Sequence, residues 1–127
     1  MKLHQNERDA SNAITAYTDN SVTVNQQTYH NSLIVGPNIL ETDWPVGAID
    51  LLERQHVNTL AKLDVEIILL GTGVTQRFPD QRLLIPCYDR NIGVEIMTTP
   101  AACRTYGILV GEGRAVVAAL IIASEQS

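Results

Sequence analysis

The chain has 127 residues, 45% of them hydrophobic and 18% charged, which describes one globular domain and excludes a disordered chain. Its net charge of −5 and pI near 5.0, with no polybasic cluster, argue against a nucleic-acid backbone or anionic lipid as partner. The N-terminus has no apolar signal core, and no apolar run reaches the ~20 residues a membrane span needs, so the expected location is cytoplasmic, without membrane insertion.

Residues 1–12 are polar and read as flexible. Residues 13–18 alternate, Asp19-Asn20 supplies a turn, and residues 21–25 are rich in Val and Thr, which predicts a hairpin. Gln26-Gln27 offers a second turn into a strand over residues 28–35, and Gly36-Pro37-Asn38 ends it. Residues 39–42 add a short edge piece, and Trp44-Pro45 implies extended chain. The first third is thus predicted as a β-meander.

Residues 50–63 are predicted helical, with Leu51, Leu52, Val57, Leu60, Ala61 and Leu63 as a partial apolar face and Asp50 and Glu53 in an acidic first turn. Residues 65–70 form a buried strand closed by Gly71-Thr72-Gly73. Residues 80–91 look helical, but Pro86 requires a break. Residues 93–97 alternate, with Val94 and Ile96 on one side and Glu95 and Met97 on the other. A helix follows, capped by Thr98 or Thr99, with Pro100 in its first turn. Ala102, Tyr106, Leu109 and Gly113 recur along it, and Cys103, Gly107 and Gly111 form a small-residue row permitting close approach to a sheet. Gly111 and Gly113 suit a left-handed exit. Residues 115–122 are apolar throughout and β-branched, as in a central strand covered on both faces.

Strand, helix, strand, helix, strand from Val65 onward implies an α/β fold with a right-handed crossover: a three-layer single domain, a mixed central sheet with helices on both faces, and an added N-terminal β-hairpin layer. The direction of the last strand is left open.

Gly71, Thr72 and Gly73 end a buried strand, where open α/β sheets hold ligands. Gln76 stands where a dinucleotide fingerprint needs glycine, so a tight turn is favoured over an anion cradle. Cys103, near a helix N-terminus and beside Arg104, has one feature of a reactive thiol. No histidine stands in a catalytic signature with it, and a buried small hydrophobe is the simpler reading. Cys87 and Cys103, both in predicted helices, read as reduced thiols. With His4, His30 and His56 they show no metal spacing. Asp43, Asp50 and Glu53 are weak candidates for a carboxylate pair. Arg104, Tyr106, Glu112 and Arg114 could line a partner or anion surface, or form a local network with Glu95. No catalytic residue, metal or cofactor is assigned.

Three motifs carry a family resemblance: Leu69-Leu70-Gly71-Thr72-Gly73 with Phe78-Pro79; Gly93-Val94-Glu95-Ile96-Met97 running through Thr99 to Ala101-Ala102-Cys103-Arg104-Thr105-Tyr106; and Glu112-Gly113-Arg114 with Val116 and Ala118-Ala119-Leu120. Over residues 32–122 the chain resembles bacterial members of the small Mth-type domain family of unknown function. That family includes the mitochondrial NADH dehydrogenase (complex I) assembly factor 3 and the adipogenesis-associated Mth-domain-containing protein. The resemblance implies a three-layer α/β domain and no established activity. It departs at Gly107, where relatives commonly carry Asn, and at Pro86. It points to a non-enzymatic, assembly-factor-like domain that binds a protein partner, with self-association compatible. The alternative is a small-molecule or anion site, or an enzyme, around Gly71, Gly73, Arg104 and Arg114.

Overall fold

The computed structural model describes residues 11–123. The apolar tail of the chain is its interior. Strand β8 (Val116–Leu120) is buried at every position and lies third in a five-stranded sheet ordered β5-β4-β8-β6-β7. The other members are β4 (Leu33–Gly36), β5 (Ile39–Glu41), β6 (Ile67–Gly71) and β7 (Gly93–Met97). β6 runs parallel to both β7 and β8, whereas β4 is antiparallel to β5 and β8. The sheet is therefore mixed, and the last strand is parallel to its α/β partner.

The period of two along β8 divides its side chains between two cores. Val117 and Ala119 face Val57, Leu60 and Ala61 of α1 (Arg54–Ala61) and Cys87 of α2 (Ile85–Tyr88). Val116, Ala118 and Leu120 face Ala102, Cys103 and Tyr106 of α3 (Thr99–Gly111), together with Val22 and Val24. Burial on both faces explains why this strand carries no polar alternation. As expected, Val94 and Ile96 pack into the first core and Met97 into the second.

The N-terminal strands form their own antiparallel sheet, β1 (Ile14–Thr18), β2 (Ser21–Val24) and β3 (Gln27–Tyr29). The predicted first hairpin is present. The second turn is centred on Asn25 and Gln26, both at positive φ (52° and 79°), one residue earlier than expected. The meander is not continuous. Residues 30–32 carry the chain from one sheet to the other, where the buried Ser32 hydroxyl donates to the Val46 carbonyl (2.7 Å) and accepts the Ile122 N–H (2.9 Å).

The helix predicted over residues 50–63 is also interrupted. A 3-10 turn, Ile49–Leu51, ends at extended Leu52, and α1 begins only after Glu53, so Asp50 does not share a first turn with Glu53. The break at Pro86 takes the form of a 3-10 turn, Gln81–Leu84, followed by the single-turn helix α2 with Pro86 in its first positions. Of the row Cys103-Gly107-Gly111, only Cys103 faces the sheet. Gly107 and Gly111 are exposed, with nothing within 4 Å of where a Cβ would stand. Gly113, at φ +77°, lies past the helix end and supplies its left-handed exit. Residues 1–10 of the segment read as flexible lie outside the described residues. Asn12 is tied down: its amide Nδ2 donates to the carbonyls of Gly36 and Ile39, both at 2.9 Å.

Candidate functional site

The loop after β6 is built from its own hydrogen bonds. Thr72 N–H donates to the Met97 carbonyl (2.9 Å), and the Thr72 hydroxyl donates to the Thr75 carbonyl (2.7 Å) and accepts the Arg77 N–H (3.1 Å). Gly73 N–H donates to Thr99 Oγ1 (2.8 Å). The amides of Thr72 and Gly73 are thus spent inside the fold, and all three residues 71–73 are buried. Gly71 is small for a packing reason, since a Cβ there would sit 2.9 Å from Thr99 Cα. Beyond the loop's clamp, Val74 and Phe78 are exposed, and Arg77 pairs with Asp50 at 3.2 Å.

The remaining expected site residues lie elsewhere. Arg104, exposed on α3, donates to the Tyr17 hydroxyl on β1 (3.0 Å). Tyr106 is buried and donates to the Asn12 carbonyl (2.8 Å). Arg114 pairs with Glu66 at 2.9 Å, just ahead of β6. Five strand steps separate Glu66 from Gly71, ~16 Å at strand rise, so Arg114 and the Gly71–Gly73 loop occupy opposite ends of β6. The network with Glu112 or Glu95 takes a different form, with Glu66 as the carboxylate. Burial pushes the Cys103 thiol up to about 12, against the smaller opposing pull of Arg104, and burial also raises Cys87. That is the condition of an unreactive core thiol. Asp43, Asp50 and Glu53 do not gather. Asp50 is held by Arg77, and the Glu53 side chain accepts from Gln55 (2.9 Å).

A concavity stands where no sequence motif pointed. Ile34 and Ile39 on the sheet, Trp44-Pro45 beyond β5, Leu60 near the end of α1 and Leu63 just past it enclose a cleft of about 450 Å³, with Glu41, Gln55, His56 and Thr59 at its polar margin. Its volume falls within the ordinary range for binding sites. His56 Nδ1 accepts the Glu53 N–H (2.9 Å), which leaves the ring's own N–H on Nε2, and the ring meets Trp44 edge-on at 6.4 Å. The signal available in sequence was faint: Ile39 and Glu41 at strand spacing, His56 and Leu60 at helix spacing, and a Trp-Pro pair. The pairing of β5 with β4 sets Glu41 beside Ile34, and the packing of α1 and Trp44 against that sheet brings in the rest.

Fold and cleft together define a small three-layer α/β domain with an apolar recess beside an edge strand. The chain belongs to the family described as "Protein of unknown function (DUF498/DUF598)", whose model matches residues 14–121. The match extends the resemblance over the N-terminal sheet. The solution structure of a Xanthomonas campestris protein superposes with a TM-score of 0.86 at 38% identity, covering 100% of this chain and 96% of that one. A Mth938-like domain from Bordetella pertussis gives 0.76 at 31%, covering 91% of this chain and 88% of that one. Over 95% of its length the chain is 29% identical to NADH dehydrogenase (ubiquinone) 1 alpha subcomplex assembly factor 3 of Danio rerio, spanning 70% of that protein. Over the same share it is 27% identical to the "13 kDa major membrane protein" of Francisella tularensis, covering 99% of it. Among the described residues of this chain, no helix is long and apolar enough to cross a membrane.

Proposed function

We propose that this domain is an assembly-factor-like protein-interaction module that engages a protein partner through the cleft beside β5. The observation that carries the reading is the cleft itself. Trp44, Pro45, Leu60 and Leu63 open an apolar recess onto the surface at the sheet's edge, where a partner's side chains can leave water. Kinship with the complex I assembly factors supports the reading, because it covers nearly this whole chain. The proposal includes a cytoplasmic location, which cell fractionation tests directly against the membrane wording of the Francisella relative's name.

Affinity capture of the untruncated chain from the native cell should recover a protein at near-stoichiometric yield. Leu60→Asp, placed in the recess wall, should lose that protein while the fold is monitored by circular dichroism. Capture that returns no partner above an untagged control, or one that a folded Leu60→Asp variant retains, removes the proposal.

A further inference from the structure

β5 terminates the five-stranded sheet, so among the described residues one side of its backbone meets no strand. Ile39 and Glu41 line the cleft from this strand, and Ile34, the register partner of Glu41, lies beside them. Leu40, between them, belongs to the opposite face by strand alternation and is 36% exposed. Beyond Trp44-Pro45 a second, shallower depression is lined by Asn31, Asp43 and Ile122. No lysine or arginine among the described residues lines either concavity. Among the described residues the carboxylates of Glu41 and Asp43 have neither an ion-pair nor a hydrogen-bond partner, whereas those of Asp50, Glu66 and Asp80 are each held by an arginine. The margins of the two concavities therefore carry two carboxylates to which no described cation is paired.

Resting on the interaction reading above, we infer that the occupant is an extended, basic–apolar segment of another protein, which adds a strand to β5. The period of two fixes its pattern. A residue opposite Ile39 and a residue opposite Glu41 stand two apart on the incoming strand and point into the same cleft. The first is apolar and the second is Lys or Arg. Asn12 Nδ2 already holds the Ile39 carbonyl, so main-chain pairing starts at Leu40 and proceeds toward Asp43, whose carboxylate meets a further cation. The His56 Nε2–H on the cleft wall is a donor for a carbonyl of the segment. An amphipathic helix would instead present its anchors three and four apart and would leave the strand edge unpaired.

Two measurements decide this. Selection of a displayed random-peptide library on the intact chain should enrich an apolar–x–Lys/Arg pattern, with amide shifts confined to residues 39–44 and the C-terminal half of α1. Glu41→Lys, at an exposed position, should weaken the selected peptide about tenfold, and a Lys→Glu peptide should regain affinity for that variant. Enrichment of acidic peptides, spacing of three or four, no enrichment, or indifference to Glu41→Lys overturns the inference. A photo-crosslinking residue in place of Leu40, compared with one in place of Phe78, then separates the two readings in the native cell. A partner's extended segment joined at position 40 supports both. A partner joined at position 40 through a helical segment keeps the cleft as the docking surface and ends the strand-addition inference alone. A partner joined only at position 78, outside the cleft, ends both. Joining at position 40 to a second copy, or to the chain's own residues 1–10, also ends the strand-addition inference. No protein joined at either position removes both readings.

Discussion

Gly73 and Thr99 hold each other twice: the Gly73 N–H donates to Thr99 Oγ1 and the Thr99 N–H donates to the Gly73 carbonyl, both at 2.8 Å. The same hydroxyl donates onward to the Ile121 carbonyl at 2.7 Å. One buried oxygen thus fastens the loop after β6, the start of α3 and the chain leaving β8. Thr98, not Thr99, is the N-cap, accepting the Ala101 N–H at a long 3.3 Å. Thr99→Val keeps the shape but strands a buried donor and a buried acceptor, and should cost about 2–4 kcal/mol. Thr98→Ala should cost about 0.5–1 kcal/mol. Urea denaturation of both variants checks the order, and a larger loss at Thr98 would show that the knot is not at Thr99.

Two glycines on adjoining elements should respond in opposite directions. A Cβ at Gly71 would meet the Thr99 backbone at 2.9 Å, a contact that no rotamer change relieves. Gly71→Ala should therefore destabilise by at least about 1–3 kcal/mol. Gly107 lies inside α3 with open space around it, so Gly107→Ala should stabilise by up to about 1 kcal/mol through helix propensity and a restricted unfolded chain. Thermal denaturation of the two variants decides the matter.

Tyr106 reaches from α3 to the Asn12 carbonyl just ahead of β1, and Asn12 in turn bridges to Gly36 and Ile39. Tyr106→Phe keeps the ring in the core and removes one hydrogen bond, at an expected cost of about 1 kcal/mol. The loss should be local as well as global. Hydrogen exchange at Asn12 and Asn25 should quicken, because Asn12 N–H is paired to Pro37 and Asn25 N–H to Ala13 in that same junction. Unchanged exchange at both amides would show that Tyr106 does not organise it.

The α/β half was legible because its signals are local and redundant. Val116 to Leu120 are apolar at every position, and Thr98, Pro100 and Gly113 punctuate α3. What misled was pattern without context. Gly107 and Gly111 stand at helical spacing with Cys103, yet only Cys103 turns inward. Residues 28–35 read as one strand although the chain changes sheets through Ser32, a switch fixed by bonds to Val46 and Ile122 that no local rule encodes. The cleft was the least legible part. Glu41 and His56 come from different elements, and each taken alone is an ordinary surface residue.

Cys103 and Tyr106 make stability fall at alkaline pH. Burial raises the Cys103 thiol from 9.0 to about 12, Arg104 offsetting it only in part, and raises the Tyr106 phenol from 10.0 to about 12. Between those limits the unfolded chain has released protons that the folded chain still holds. Unfolding is then favoured, and stability is lost as pH rises from about 9 toward 12, with a slope of up to about 1.4 kcal/mol per pH unit for each group. Well below pH 9 both groups are protonated in either state and contribute no slope. Denaturation midpoints across this range should decline for the natural chain and decline less for Cys103→Ala, with the difference opening at the lower edge of the window where the thiol alone titrates. Cys87, raised by the same cause, keeps part of the slope in that variant. At neutral pH an aromatic disulfide probe should label either thiol no faster than the chain unfolds. Rapid labelling of native Cys103, or an alkaline profile that Cys103→Ala leaves unchanged, would contradict its place in the core.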